Sequence, residues 1–201
     1  MTAALALLFV AQSAPSLSPV DESPRDPSLV AFLNNLRRAV QTRDAKGLLA
    51  RIDPKIRTSF GGGGGLADFR QFWRPENPDA PVWREFEAIL KLGGAFEGET
   101  YWMPTTYAKW PEAYDSFSYG AATGSSVALR GAPNADAKVV ARLNYTILKA
   151  EPEKKGWLAV EVPNGPKGFV HKTDFRRPID YRLAISKVKD RWLINTMVAG
   201  D

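Results

Sequence analysis

The chain has 201 residues, 44% apolar and 24% charged, with a net charge of +5; this is the composition of a globular protein with room for one sizeable domain or two small ones. It contains no cysteine and a single histidine, His171. Those counts exclude a disulfide framework, a thiol nucleophile and a zinc site built on cysteines or on several histidines, so no metal and no cofactor is expected.

Met1 to Ala11 is an uncharged apolar run, followed by Gln12-Ser13-Ala14-Pro15 and a Ser/Pro-rich stretch reaching Pro24. This is the order of a secretory signal with a cut after Ser13, although no Lys or Arg precedes the run. The run is too short to span a bilayer, which takes about 20 apolar residues. Residues 1–13 are expected as a signal peptide and 14–25 as a linker. The mature protein is expected to be periplasmic or secreted, with no transmembrane segment after signal removal.

Asp26-Pro27 reads as a helix start, with Asp as N-cap and Pro in the first turn. Leu29, Phe32, Leu33, Leu36 and Val40 then recur at helical spacing. A second short helix is expected from Asp44, carrying Leu48, Leu49 and Ile52 and stopping before Pro54, with a strand over 56–60. Gly61 to Gly65 form an unbroken glycine run. No Lys-Ser/Thr pair follows it, so the phosphate-loop motif fails and a turn with positive φ is expected. Helices are expected over 66–73 and 82–92, the second stopped by Gly93-Gly94. A strand is expected over 99–103, ending at Pro104, and 105–124 is aromatic-rich without a clear period. Together, 26–124 reads as an α+β region.

The segment 125–178 carries the strongest pattern. It runs Val127-Ala128-Leu129-Arg130-Gly131-Ala132-Pro133, then Val139-Val140-Ala141-Arg142-Leu143, then Gly156-Trp157-Leu158-Ala159-Val160, and closes on Gly165-Pro166-Lys167-Gly168-Phe169-Val170. This resembles a bacterial SH3 (SH3b) domain: an apolar-x-apolar-Arg strand, a Pro turn, a Val-rich strand, Gly-Trp with alternating apolar residues, and Gly-x-x-Gly-aromatic-Val. The resemblance implies a small closed β-barrel that binds or positions a partner in an extracytoplasmic protein, with its ligand face in the cleft between loops. Where the family often has a Gly turn after Leu143, this chain has Asn144-Tyr145-Thr146. Arg130, Tyr145, Trp157, Phe169 and Lys172 are the ligand-binding candidates.

Tyr181 to Ser186 and Trp192 to Val198 alternate like strands around a turn at Lys189-Asp190, so 179–201 is expected as a β-hairpin. A lone hairpin is marginal in water. Two hosts are open to it, the barrel or the 26–124 region; in the second case it completes that region around the barrel. Helices first, then a strand and a final hairpin bearing Trp192, resemble the NTF2-like fold in element order. The expected fold class is α+β: an N-terminal helical and strand region, an SH3b-like barrel and a C-terminal hairpin.

Charge is uneven, since residues 125–178 hold ten basic and five acidic side chains while 19–124 hold thirteen and fourteen. The basic excess therefore sits in the barrel-like segment and favours anionic partners. Tyr101, Trp102, Tyr107, Trp110, Tyr114, Phe117 and Tyr119 crowd the stretch before it, either as a contact patch or as filling for a seam. SH3b modules often accompany thiol peptidases or zinc amidases, and the composition excludes both catalytic domains here. Paired carboxylates, Glu85 with Glu87 or Glu97 with Glu99, are the enzyme chemistry that remains. The leading expectation is a non-enzymatic exported binding module of the bacterial cell envelope, contacting cell-wall peptide (peptidoglycan) or an envelope protein. The alternative is an accessory or sensory protein holding a small molecule in an N-terminal pocket lined by Trp73, Trp83 or Trp102, and a carboxylate-dependent glycan hydrolase comes third. A nucleic-acid partner is not expected, because export would separate the protein from it.

Overall fold

The structure, a computed structural model, describes residues 14–200. The signal peptide expected over 1–13 lies outside the described residues. The architecture is α+β: four helices of the N-terminal half pack on one mixed sheet, and a second, antiparallel sheet follows.

Helix α1 (Pro27–Gln41) begins where the Asp26 carboxylate accepts the backbone N–H groups of Ser28 and Leu29. Its apolar stripe buries Leu29, Leu33, Leu36 and Val40. The short α2 (Ala45–Leu49) is capped by Asp44, which accepts from Gly47 N. Helix α3 (Gly65–Trp73) follows the glycine run, where Gly62, Gly63, Gly64 and Gly65 all take positive φ. Helix α4 (Pro81–Lys91) buries Val82, Trp83, Phe86 and Ile89 almost completely. Burial of each such side chain stabilises by ~1.5–3 kcal/mol.

The sheet beneath these helices has the order β1 (Val20–Asp21), β3 (Gly93–Glu97), β4 (Thr100–Met103), β12 (Arg182–Val188), β13 (Arg191–Val198) and β2 (Ile52–Arg57). The C-terminal hairpin is therefore part of this sheet, with Leu183 opposite Met103 and Ile194 opposite Ile52. Strand β2 begins four residues before the expected position and contains Pro54, which is tolerated because β2 is the edge of the sheet. Strand β3 was not expected, since Gly93-Gly94 read as a helix stop. A Cβ on Gly93 would stand 2.0 Å from the Val20 carbonyl oxygen, and one on Gly94 2.4 Å from that of Trp102. The two glycines let β3 fit between β1 and β4.

The chain then makes a helical turn, α5 (Thr105–Ala108), and enters the second sheet. Its strands are β5 (Tyr119–Ala122), β6 (Val127–Arg130), β7 (Val139–Leu143), β8 (Ile147–Ala150), β9 (Trp157–Glu161), β10 (Lys167–His171) and β11 (Phe175–Arg176). Their order is β11-β5-β8-β9-β10-β6-β7. Leu129, Leu148, Leu158, Val160 and Val170 fill its core. The expectation of a closed SH3b barrel is corrected here: among the described residues β7 and β11 are the unpaired ends of an open order, and no ladder joins them. Strand β11 turns instead toward the first sheet, where Arg176 Nη2 donates to Glu85 Oε1 of α4 at 2.7 Å.

The segment expected as a linker is tied to both sheets. Ser16 bridges to Thr146 and Leu17 N donates to the Tyr145 carbonyl, while four residues on Val20 pairs with Gly93. Asp21 then accepts the phenol of the buried Tyr101 at 2.8 Å. Burial, and next the bond to Asp21, push the Tyr101 pKa far up. Glu22 accepts from Lys109 Nζ at 2.8 Å and from Phe96 N at 3.0 Å, and these bonds hold its carboxyl at about 2.

Candidate functional site

Period-two alternation sorts β9 and β10 into two faces. Leu158, Val160 and Val170 point inward, so Trp157, Ala159 and Glu161 share the outer face with Lys167, Phe169 and His171. The register sets Trp157 opposite His171, Ala159 opposite Phe169, and Glu161 opposite Lys167. Trp157 packs edge-on against the His171 ring at 5.3 Å. Gly168 faces inward, where a Cβ would meet the Arg130 carbonyl oxygen at 2.6 Å and crowd Leu129; its lack of a side chain keeps β10 close to β6.

Because Ala159 is small, the surface dips between the Trp157 and Phe169 rings. Pro133 and Pro152 wall the resulting groove, and Lys154, Lys155 and Glu151 rim it; its volume is about 930 Å³. A second depression of about 470 Å³ adjoins it through Glu151, Ala159 and Phe169 and runs toward Lys149 and Lys167. Lys167 is paired with Glu161 at 2.9 Å. Lys149, Lys154 and Lys155 carry no ion pair among the described residues, so the groove is aromatic at its floor and cationic at its edge.

The five sequence-derived candidates do not converge. Trp157 and Phe169 form the groove. Arg130 supports it from behind: its backbone pairs with Phe169, and its Nη1 donates to the Ala137 carbonyl at 2.8 Å, closing the β6–β7 turn. Tyr145 occupies a left-handed turn position with φ 46°, its backbone held by Gly124 and Leu17, and it lines neither depression. Lys172 borders a different cavity, in the seam between α4 and the end of the second sheet. The groove residues that sequence reasoning missed are Pro133, Pro152, Lys154 and Lys155. The Pro152 and Lys154-Lys155 signals lay in the loop just before Gly156-Trp157, while the approach of Pro133 depends on how β6 folds back onto β7.

The aromatic stretch of 101–119 is mostly self-satisfied. Tyr101 is in the core, Trp102 packs on Tyr107 at 4.9 Å, and Tyr114 packs on Tyr119 at 5.2 Å. Phe117 is the exposed ring of the set, at 59%. Trp73 and Trp83 lie in the first core, packed with Phe69, Phe86 and Tyr101, so their positions are filled by side chains. Glu97 and Glu99 are exposed on the β3–β4 turn around Gly98, and Glu85 is committed to Arg176. Among the described residues no three His, Cys, Asp or Glu side chains come together to hold a metal ion, and no helix is long and apolar enough to cross a membrane.

No family model matches this chain, which removes the SH3b assignment along with the closed barrel. No curated protein matches it. Among solved structures it is similar to the crystal structure of a NTF-2 like protein of unknown function from Shewanella oneidensis MR-1. The two share 15% identity over 89% of this chain and 99% of that one, with a TM-score of 0.30. Overlap that slight assigns neither a fold family nor an activity.

Proposed function

We propose that this is a non-enzymatic, exported binding protein that holds an extended peptide bearing carboxylates in the Trp157–Phe169 groove, the peptide belonging to the cell wall or to an envelope protein. The observation that carries the reading is the pairing of two half-buried rings around Ala159 with two prolines and unpaired lysines at the rim. Flat rings beside rigid prolines give large contact area at low entropic cost, and the lysines favour an anionic occupant. The filled interior around Trp73 and Trp83 supports this reading over a small-molecule pocket in the N-terminal region.

The test is retention of the full chain on purified peptidoglycan at low and at high salt. Retention at low salt that weakens as salt rises is the expected result. Trp157→Ala removes a central ring and is expected to weaken binding by ~2 kcal/mol or more, roughly thirtyfold. Tyr145→Ala, outside the groove, is expected to bind as the parent does. Absence of retention at low salt removes cell-wall peptide as the occupant, and equal loss in both variants sinks the groove as the site.

A further inference from the structure

The seam between α4 and β11 encloses a cavity of about 380 Å³, within the range of small-ligand pockets. Its lining includes the apolar Ala88, Leu92 and Phe175 with Tyr181. It also holds three cations, Lys91, Lys172 and Arg176, against two carboxylates, Glu85 and Asp180. Both carboxylates are already engaged. Glu85 accepts from Arg176, and Asp180 Oδ2 accepts from the Arg177 backbone N–H at 2.8 Å.

Two of the three cations, Lys91 and Lys172, are held in no short ion pair. Lys91 has no ion pair among the described residues, and the contact of Lys172 with Glu153 is long, at 3.8 Å, with both side chains exposed. Arg176 has a guanidinium with five N–H donors. Its hydrogen bonds both come from Nη2, to Glu85 and to the Tyr181 carbonyl, and its buried Nε has no partner. Its side chain is 8% exposed and lines the cavity, and its Nη1 donates to no group among the described residues. Polar groups in buried surroundings are ordinarily satisfied, so a guanidinium on a cavity wall with donors left over is a place for an acceptor.

We propose that the seam cavity is a binding site for a small organic carboxylate with an apolar body, the anion facing Arg176, Lys172 and Lys91 and the body lying on Leu92, Phe175 and Tyr181. The site is separate from the groove and does not depend on what the groove binds.

Calorimetric titration of the full chain with benzoate, benzamide and inorganic phosphate tests it. Benzoate is expected to bind with a Kd of about a millimolar or tighter, as befits so small a ligand. Benzamide has the same shape without the charge, and phosphate the charge without the apolar body; each is expected to bind at least about tenfold more weakly. The double variant Lys91→Gln/Lys172→Gln changes exposed side chains, so it is expected to keep the parent's melting temperature while weakening benzoate at least about tenfold. Lys46→Gln/Lys55→Gln carries the same charge change outside the cavity and is expected to bind benzoate as the parent does. The proposal is overturned if benzoate does not bind, if benzamide or phosphate binds as well as benzoate, or if the two double variants behave alike.

Discussion

Replacing Glu85 by Ala strips the counter-charge from Arg176, the side chain that ties the second sheet to α4. The guanidinium is 8% exposed and its partner 25%. Removing one member of a buried pair costs about 3–5 kcal/mol, because the other charge stays behind uncompensated. Water reaches Glu85, so the lower figure applies, about 3 kcal/mol. For a chain of this size each kcal/mol moves the melting temperature by about 2–4 °C, which gives a drop of ~6–12 °C. The measurement is thermal unfolding followed by circular dichroism, with Lys167→Ala as reference. That lysine is paired with Glu161 at a similar 2.9 Å but is 74% exposed, so its loss is expected to cost no more than about 1 kcal/mol. Glu85→Leu/Arg176→Met, which removes both charges, is expected to recover most of the lost stability. If Glu85→Ala melts no lower than Lys167→Ala, the pair does not brace the seam and the reasoning fails.

Other perturbations probe the way the N-terminal segment is held. Tyr101→Phe deletes a buried hydrogen bond to a carboxylate and is expected to cost ~1.5–3 kcal/mol by chemical denaturation, with the same midpoint as the parent counting against it. The Glu22 carboxyl sits at about 2 instead of its ordinary 4.5. A carboxyl lowered on folding stabilises above its unfolded pKa and loses that contribution as pH falls through the folded one. The stability gap between the parent and Glu22→Gln is therefore expected to close between pH 4.5 and about 2, and a constant gap would refute the assignment. Gly93→Ala places a methyl against the Val20 carbonyl at φ 64° and is expected to destabilise by ~3 kcal/mol or more. Gly61→Ala meets open space and should shift stability by no more than about 0.5 kcal/mol; similar melting of the two variants would show that β3 is not so tightly enclosed.

Local signals were legible where a short window contains its own cause. Asp26-Pro27 and Asp44 stand at the helix starts expected there, and the apolar spacing of α1 and α4 matches the faces they bury, while α3 buries Phe69 and Trp73 and leaves Phe72 66% exposed. The alternation in β9 and β10 likewise separates core from groove. What failed depended on partners far away in the chain. Gly93-Gly94 look like a helix stop until β1 and β4 are known to flank them, and Val20-Asp21 look like linker until Gly93 pairs with them. Closure of the second sheet was inferred from turn and aromatic spacing, but closure is a relation between edge strands, and β11 is drawn to Glu85 instead. Lys172 and Trp157 were joined as candidates by the SH3b resemblance; the 3₁₀ turn after His171 carries the lysine round to the seam.

The placement of the last hairpin also dictates an order of assembly. The second sheet uses one continuous stretch, residues 119–176, and all its pairings join antiparallel strands. It can form as soon as that stretch is available. The first sheet cannot, because β4 finds its second neighbour in β12 and β2 finds its neighbour in β13, both close to the end of the chain. Until then the helices of the first half have an incomplete floor, and their apolar faces stay open for as long as synthesis takes to reach Val198. A chain shortened before β12 would therefore leave the earlier half, including residues it never touched, without the surface those helices need.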